Sequence, residues 1–591
     1  MSHILNKIVV KNFKSIADEE FILSPFTPLV GYNNAGKTNL VEAIKWLLRK
    51  SVLQESSFNN PVNAIEMIGE ISGINQDILD NLTDGHRNVI SPFIQDEKLV
   101  IRRTQPNPSC GAPQIRLDVQ NQQNIGADNE WRTNPTGIDQ AIQALFPEPI
   151  HIGAMEDSGE DVSKNKNTTT IGKLLIEILG QIQENHQATI ESAFNMISDL
   201  LNSEGNQRAA EFIAFDAAVN ANLESFFPGV NIKVHVPSPE FKEVLSKGTI
   251  KVFENQSPNG KDVTSLGHGA QRSIQMALIR HLAEIKKAGD QHTNTLLLID
   301  EPELYLHPQA IEILREALKS LVNNGYQVVF STHSPFMITS KDASNTILIR
   351  KNPEHQTYKR TSLKAAVEST IQGNPAQATT LFSLSNSSNI LFSERVLLAE
   401  GKTENKLLPC IVIKCTGRTL GFHKIALVPV DGSGSIKKSM DVLASMDLPT
   451  KSVTDLDYAL RHGESEGFLP AGDVDIITIK AHLLTIAGQH AINLDNNGWP
   501  TKTQTMSAAD GFRILANEAS VQQNIQNIYE KMLLRNIWIW KKGTIENHLG
   551  NISKNEAGWA AFNQRLEIDP LNVILPNNFQ EITDFVQWII A

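Results

Sequence analysis

Cysteine is scarce in this chain: Cys110, Cys410 and Cys415 are the only three in 591 residues, and no two of them form a CxxC pair. That spacing excludes a disulfide framework and a cysteine-rich zinc ribbon. Long apolar runs are missing as well, since no stretch approaches the ~20 residues that a membrane span requires. The opening MSHILNKIVVKNF alternates like a strand and lacks the apolar core of a signal peptide. The expectation is a soluble, cytoplasmic protein with no membrane partner. Positive charge is in deficit, with 53 Lys and Arg against 65 Asp and Glu, a net charge of −12. Such a balance argues against coating nucleic acid over the whole surface. It leaves two ways to meet a polyanion: a local basic groove, or carboxylates gathered around metal ions.

What is present is a globular mixture, 41% hydrophobic and 20% charged, in a chain several times the ~150 residues of one domain. Residues 4–16 read as a strand. A short apolar approach, Pro28-Leu29-Val30, runs into Gly31, and after Thr38 the pattern turns helical, with Leu40, Ile44, Leu47 and Leu48 on one face. Arg49 and Lys50 follow where cations suit the helix dipole. From about 63 to 150 the text predicts continued sheet with loops. Proline is absent from Ile150 to Phe227, and helical spacing there predicts an insertion over 155–230, either a lobe covering its own sheet or a self-association surface. Strands are expected again at NIKVHV, TIKVFEN, TLLLID and QVVFST, with a helix over Gln309–Val322 between the last two. Residues 351–390, in a stretch rich in Ser, Asn and Thr, read as a linker. A second βα alternation begins at ERVLLAEG and continues through KIALVPVDG and KSVTDLDYAL. The fold class is therefore α/β and multidomain.

Gly31-Tyr-Asn-Asn-Ala-Gly-Lys-Thr fits GxxxxGK[ST] between a strand and a helix, the context that this phosphate-binding loop demands. Gly31 and Gly36 let backbone N–H groups approach phosphate, Lys37 neutralises the β- and γ-phosphates, and Thr38 offers a hydroxyl to Mg²⁺. Leu296–Glu301 is an apolar strand ending in two carboxylates that a core strand would not need. Asp300 suits Mg²⁺ and Glu301 suits the attacking water of ATP hydrolysis. Val328–His333 ends a second apolar strand with His333, placed for a γ-phosphate.

A second acidic set lies downstream. Glu400 stands at the tip of the strand in ERVLLAEG, and Glu404 lies one helical turn later. Asp455 and Asp457, in TDLD, face the same side if both lie on a strand. Oxygen ligands gathered at strand ends hold Mg²⁺ or Mn²⁺, and two such ions can stabilise the attacking and leaving oxygens of a phosphodiester. Asp431, in the glycine-rich turn VDGSGS, is a secondary carboxylate. Near the C-terminus, WIWKKGTIE offers a lysine for phosphate charge and Glu546 for a second metal, the plain alternative being a strand end with solvated lysines.

The start VVKNFKSI, the run GYNNAGKTN with Asn33, Asn34 and Asn39, and the segments DEPELYLHP and STHSP resemble the RecF/SMC-like branch of ABC-type ATPases. That resemblance implies a signature segment completing the nucleotide site of another subunit, matched here by LGHGAQR with Gly267, Gly269 and Gln271. No heptads run through the insertion, unlike a true SMC protein. The second set resembles the Toprim domain, and with that resemblance Lys542 and Glu546 become the preferred pair, with Lys541 as fallback. ATPase parts at 1–154 and 231–350, insertion, linker and Toprim domain at 391–591 resemble in their order the OLD (overcoming lysogenization defect) family of nucleases, including the nuclease subunit of the Gabija defence system. The resemblance implies an ATP-regulated, metal-dependent DNA endonuclease or nickase in phage defence. It also implies a homodimer or larger homo-oligomer, with a helicase or a retron reverse transcriptase and its DNA as possible partners. Two other readings compete: an ATP-dependent DNA clamp or sensor whose Toprim domain acts only in a complex, and a topoisomerase- or primase-like enzyme. The latter lacks a recognisable cleavage tyrosine and a zinc module.

Overall fold

The computed structural model describes residues 3–127, 129–146, 149–153, 170–237, 250–253, 259–288, 295–323, 325–370, 388–430 and 432–591. The chain divides into two compact units, one of Met1–Phe26 with Thr38–Thr332, the other of Thr27–Lys37 with His333–Ala591. The division falls inside the expected ATPase segment rather than at its end. Among the described residues no helix is long and apolar enough to cross a membrane.

In the first unit an antiparallel sheet takes the order Ile16–Ile22, Ile4–Phe13, Ile65–Ser72, Lys98–Gln105, Arg116–Gln120, Trp131–Arg132. The period-2 burial of Ile65–Ser72 is that of a sheet with one face covered. The covering element is the helix Lys37–Leu48, whose Leu40, Val41, Ile44, Leu47 and Leu48 are buried. Gly69 marks the contact: a Cβ there would come within 2.5 Å of a Leu47 methyl. Arg103 is fully buried beneath the helix end, its Nε donating to Leu47 O at 2.9 Å and its Nη2 to Asp139 at 2.7 Å. Arg49 adds a bond to Leu48 O. The cations expected at this helix terminus are thus supplied in part by a neighbouring strand.

A parallel set in the same unit joins Ile150–Ile152, Thr295–Asp300 and Tyr326–Thr332, the last two buried along their whole length. Such strands, covered on both faces, read as continuous apolar runs. The described part of the insertion is helical, Thr170–Leu201 with a kink at His186, then Ala210–Leu223. Residues 154–169 lie outside the described residues. NIKVHV forms no strand. Among the described residues of TIKVFEN, Lys251–Val252 pairs with Lys261–Asp262. Residues 63–150, expected as sheet, also hold the helices Asp84–Ile90 and Ile138–Leu145.

In the second unit Leu29 and Val30 pair in parallel with Ile347 and Leu348, and Ile347–Lys351 pairs antiparallel with Thr357–Lys359. This hairpin and the helix Leu363–Thr370 occupy the first half of the expected linker. Its polar composition masked a few well-placed apolar residues: Ile349, Leu363, Ala366 and Val367 are buried. Residues 371–387 lie outside the described residues. The Toprim sheet is wholly parallel, in the order Ile425–Pro429, Arg395–Ala399, Thr450–Asp455, Ile537–Trp540. Its core gathers Leu407, Ile411, Trp538, Trp540, Phe562 and Phe585.

Arg103→Ala leaves Leu47 O and Asp139 without their donor inside the first unit. It is expected to lower unfolding stability by roughly 3 kcal/mol, which a chemical denaturation midpoint measures. A loss below about 0.5 kcal/mol would show that the buried guanidinium supports nothing.

Candidate functional sites

The phosphate-binding loop is shaped by its neighbours. Gly36 has φ +110°, and a Cβ there would lie 2.2 Å from Thr357 Oγ1, so only glycine fits. At Gly31 a Cβ would sit 2.4 Å from Ile349 O. Thr357 Oγ1 donates to Ala35 O at 2.8 Å, and Tyr32 Oη accepts from Lys351 N at 3.0 Å. The hairpin hidden in the expected linker therefore braces the loop. Lys37 is buried, and its Nζ donates to Gly31 O (2.9 Å) and Tyr32 O (3.2 Å) and approaches His333 Nε2 at 2.8 Å. Since the ammonium can only donate, Nε2 is the acceptor. Asn33 and Asn34 are exposed at the loop tip.

Within the first unit, Asp300 Oδ1 accepts from Ser331 Oγ at 2.9 Å and lies 3.5 Å from Thr38 Oγ1. Asn39 donates to Ser15 Oγ at 2.7 Å. Glu301 takes a left-handed conformation, φ +46°, with its N–H on Ser331. That backbone is costly for glutamate and concentrates at functional positions. In the signature segment Gly267 has open space around it, whereas a Cβ on Gly269 would lie 2.8 Å from Tyr305 O. Gln271 is buried and donates to Thr264 O and Leu266 O within its own turn. Arg272, one residue on, was not singled out from sequence. Its guanidinium reaches Asp300 O, Glu301 O and Pro302 O, locking the start of the helix His268–Ala288 to the end of the Asp300 strand.

The second site lies at the edge of the Toprim sheet where parallel strands end together, the usual place for ligands in open α/β sheets. Ala399 is level with Val453, and Asp455 with Trp540. Asp455 N donates to Glu400 Oε2 at 3.3 Å. Asp457 is not on the strand, as the same-face expectation required, but in the first turn of the helix Leu456–His462. Its carboxylate still raises the pKa of Glu400, because the chain turns at Asp455. Glu404 and Glu546 are buried. Trp540 Nε1 donates to Glu404 Oε1 at 3.2 Å, Thr403 Oγ1 to Glu546 Oε1, and Trp559 Nε1 to Thr403 Oγ1 at 3.1 Å. Gly401 permits this crowding, since a Cβ there would lie 2.3 Å from Glu404 Oε2.

Burial, with the Asp457 charge, pushes Glu400 up to about 7. Burial and Glu546 raise Glu404; burial, Glu404, Glu400 and Asp457 raise Asp455; burial raises Asp457. Arg461 offsets Asp457, and Lys554 faces the rest. Burial works against the charge of Lys554, yet Asp455, Glu546, Glu404 and Glu400 together raise its pKa, and Nζ lies 3.8 Å from Glu546 Oε1. No motif signals Lys554. The lysine preferred from sequence, Lys542, is bonded instead to Asn578, and Lys541 goes to Gln526 at 3.0 Å and Glu581 at 3.7 Å. The turn that follows the strand sends both away from the carboxylates. Asp431 lies outside the described residues.

Asp455 Oδ1 is buried with no hydrogen-bond partner. An enclosed carboxylate oxygen with nothing to accept from, amid like-charged neighbours, fits a hard divalent cation. Among the described residues no three His, Cys, Asp or Glu groups already converge on one ion position, so the carboxylates are neighbours that a cation would draw together.

Residues 4–79 and 113–338 match the AAA ATPase domain family, and residues 391–457 the TOPRIM domain of overcoming lysogenization defect protein-like proteins. The chain is 38% identical to the Old nuclease of Escherichia phage P2, covering 99% of both chains. It is 23% identical to the OLD nuclease of Thermus scotoductus over 77% of this chain and 82% of that one. It is 21% identical to the endonuclease GajA of Bacillus cereus over 51% and 47%. With an ATPase domain and a Toprim domain in one chain and a relative matched along its full length, this protein belongs to the OLD family of nucleases.

Proposed function

We propose that the chain is an ATP-regulated DNA endonuclease in which Glu400, Glu404, Asp455, Asp457 and Glu546 hold Mg²⁺ or Mn²⁺. The observation that carries this reading is the partnerless Asp455 Oδ1 among carboxylates of which Glu400, Glu404 and Asp455 are raised by burial and by one another's charge. A divalent cation there supplies Lewis-acid polarisation of a phosphodiester. The protein's own groups do the rest. Trp540 orients Glu404, and the chain Trp559–Thr403–Glu546 orients the last carboxylate. Lys554, the half-exposed cation of the group, offsets charge that accumulates on the phosphate as water attacks. Cleavage then needs few basic residues, which accords with a net charge of −12.

In the first unit Thr38 and Asp300 would hold the nucleotide's cation and Glu301 would serve the attacking water; in the second, Lys37 would meet the β- and γ-phosphates and His333, beside it, the γ-phosphate. Self-association is supported by the apolar surface of the insertion, where Met196, Ile213, Phe215, Phe226 and Phe227 are all more than half exposed. Phage defence, alone or beside a helicase or retron partner, is the setting that the family resemblance implies.

Glu400→Gln should reduce plasmid nicking in Mg²⁺ or Mn²⁺ by more than about a hundredfold while ATP binding persists. Undiminished nicking removes Glu400 from the site. Lys554→Ala should cost roughly a hundredfold in kcat, against less than about threefold for Lys542→Ala; the reverse order returns the role to Lys542. The pH dependence has a defined sign. Glu400 is raised from its ordinary 4.5 to about 7, so in metal-free protein its contribution to stability is intact below about pH 4.5 and is lost as pH rises through about 7. The rise in Tm on adding Mn²⁺ without nucleotide should therefore grow from pH 5.5 to pH 8 by about 3 °C or more. In Glu400→Gln that growth should be smaller than in wild type, the other raised carboxylates supplying the remainder. A metal increment that is flat or falls with pH contradicts the cluster as the binding site.

A further inference from the structure

His151 lies on the short strand Ile150–Ile152, beside the strand that carries Asp300. The register sets Ile150 against Leu297, His151 against Leu298 and Ile152 against Ile299. Side chains alternate along a strand, so His151 shares a face with Leu298 and with Asp300 two residues on, while Ile150 and Ile152 turn into the core at 2% exposure. The imidazole leans along the strand until Nε2 is 3.7 Å from Asp300 Oδ2. Asp300 Oδ1 is already engaged with Ser331 at 2.9 Å and faces Thr38 at 3.5 Å. Oδ2 is thus the oxygen turned toward His151.

Two further observations give this pairing direction. His151 Nε2 is buried and has no hydrogen-bond partner. A separation of 3.7 Å is too long for a direct hydrogen bond, and one water beside the pair can reach both groups at hydrogen-bond distance. The arrangement is also clamped. One guanidinium, Arg272, donates to Gly153 O at 3.3 Å just past the histidine's strand and to Asp300 O at 3.0 Å. The distance between the strands at this level is therefore fixed by a buried cation.

We propose that His151 is a positioning residue of the ATPase site: its Nε2 and Asp300 Oδ2 together hold a water in the outer shell of the divalent cation that accompanies ATP. The inference rests on ATP being bound by the Lys37 loop, and it adds a group from a strand that no motif marks. An imidazole serves here where an isoleucine would not, because it can accept from or donate to that water without adding charge. The prediction concerns the cation-dependent part of nucleotide affinity alone, since His151 is given no contact with phosphate.

Isothermal titration of the full-length protein with ATP, once in excess Mg²⁺ and once in EDTA, separates the two parts. For His151→Ala the gain in affinity on adding Mg²⁺ should fall about tenfold relative to wild type, with EDTA affinities equal within about twofold. His151→Gln, which restores a polar tip, should recover most of the gain, and His151→Asn replaces the alanine variant if that one does not fold. An Mg²⁺ gain equal in all variants overturns the proposal. An equal loss in Mg²⁺ and in EDTA also overturns it, because that would be packing. Failure of wild type itself to bind ATP would instead refute the nucleotide site on which the proposal stands.

Discussion

Like charge held out of water is the constraint around which the nuclease half is built. Glu404 and Glu546 are buried, and Glu400, Asp455 and Asp457 crowd the same edge of a parallel sheet. Burial alone would neutralise such groups, and proximity strengthens the effect. The fold accommodates them in part by giving three of the oxygens a donor: Trp540 to Glu404, Thr403 to Glu546, and the Asp455 N–H to Glu400. Asp455 Oδ1, buried without a partner, is where a cation has the most to gain. Lys554 is the fixed charge of opposite sign that lies nearest Glu546, while Arg461 acts on Asp457 from its own helix.

The ATPase half solves a complementary problem, holding backbone open for a polyanion. Gly31 and Gly36 lie so close to Ile349 and Thr357 that no side chain fits at either position. The loop's shape thus comes from a hairpin more than three hundred residues away in sequence. The same hairpin leads toward the nuclease domain: Arg350 Nη2 donates to Leu391 O at 3.1 Å, in the segment that enters the first Toprim strand. The element bracing the phosphate loop is therefore hydrogen-bonded to the segment that introduces the nuclease sheet.

Much of both sites was legible before any coordinates. GYNNAGKT, LLLIDE and VVFSTH each join a buried apolar run to a polar terminus, a local pattern with a local cause, since a strand covered on both faces must be apolar and its end need not be. The α/β alternation was legible for the same reason. Less legible were the elements whose identity depends on distant partners. NIKVHV has strand composition but pairs with no strand among the described residues. The hairpin at 347–359 was obscured by polar neighbours and is held by contacts with residues 29–36. Asp457 was expected on a strand, and the chain turns one residue earlier. Gln271 was assigned to a partner's nucleotide and is bonded within its own turn.

Sequence by itself pointed to the two chemistries and to most of the acids gathered at the candidate sites, because a phosphate loop and carboxylates at strand ends are encoded in a few consecutive residues. Tertiary structure alone decided which cation stands among those carboxylates. Lys541 and Lys542 adjoin Glu546 in sequence, yet a turn at Gly543, with φ +107°, directs them to Gln526 and Asn578. Lys554, eight residues beyond Glu546, returns to the site. His151 and Thr357 belong to the same class. Nothing beside them in the chain marks them, and their importance comes from Asp300 and Gly36, which only folding brings within a few ångströms.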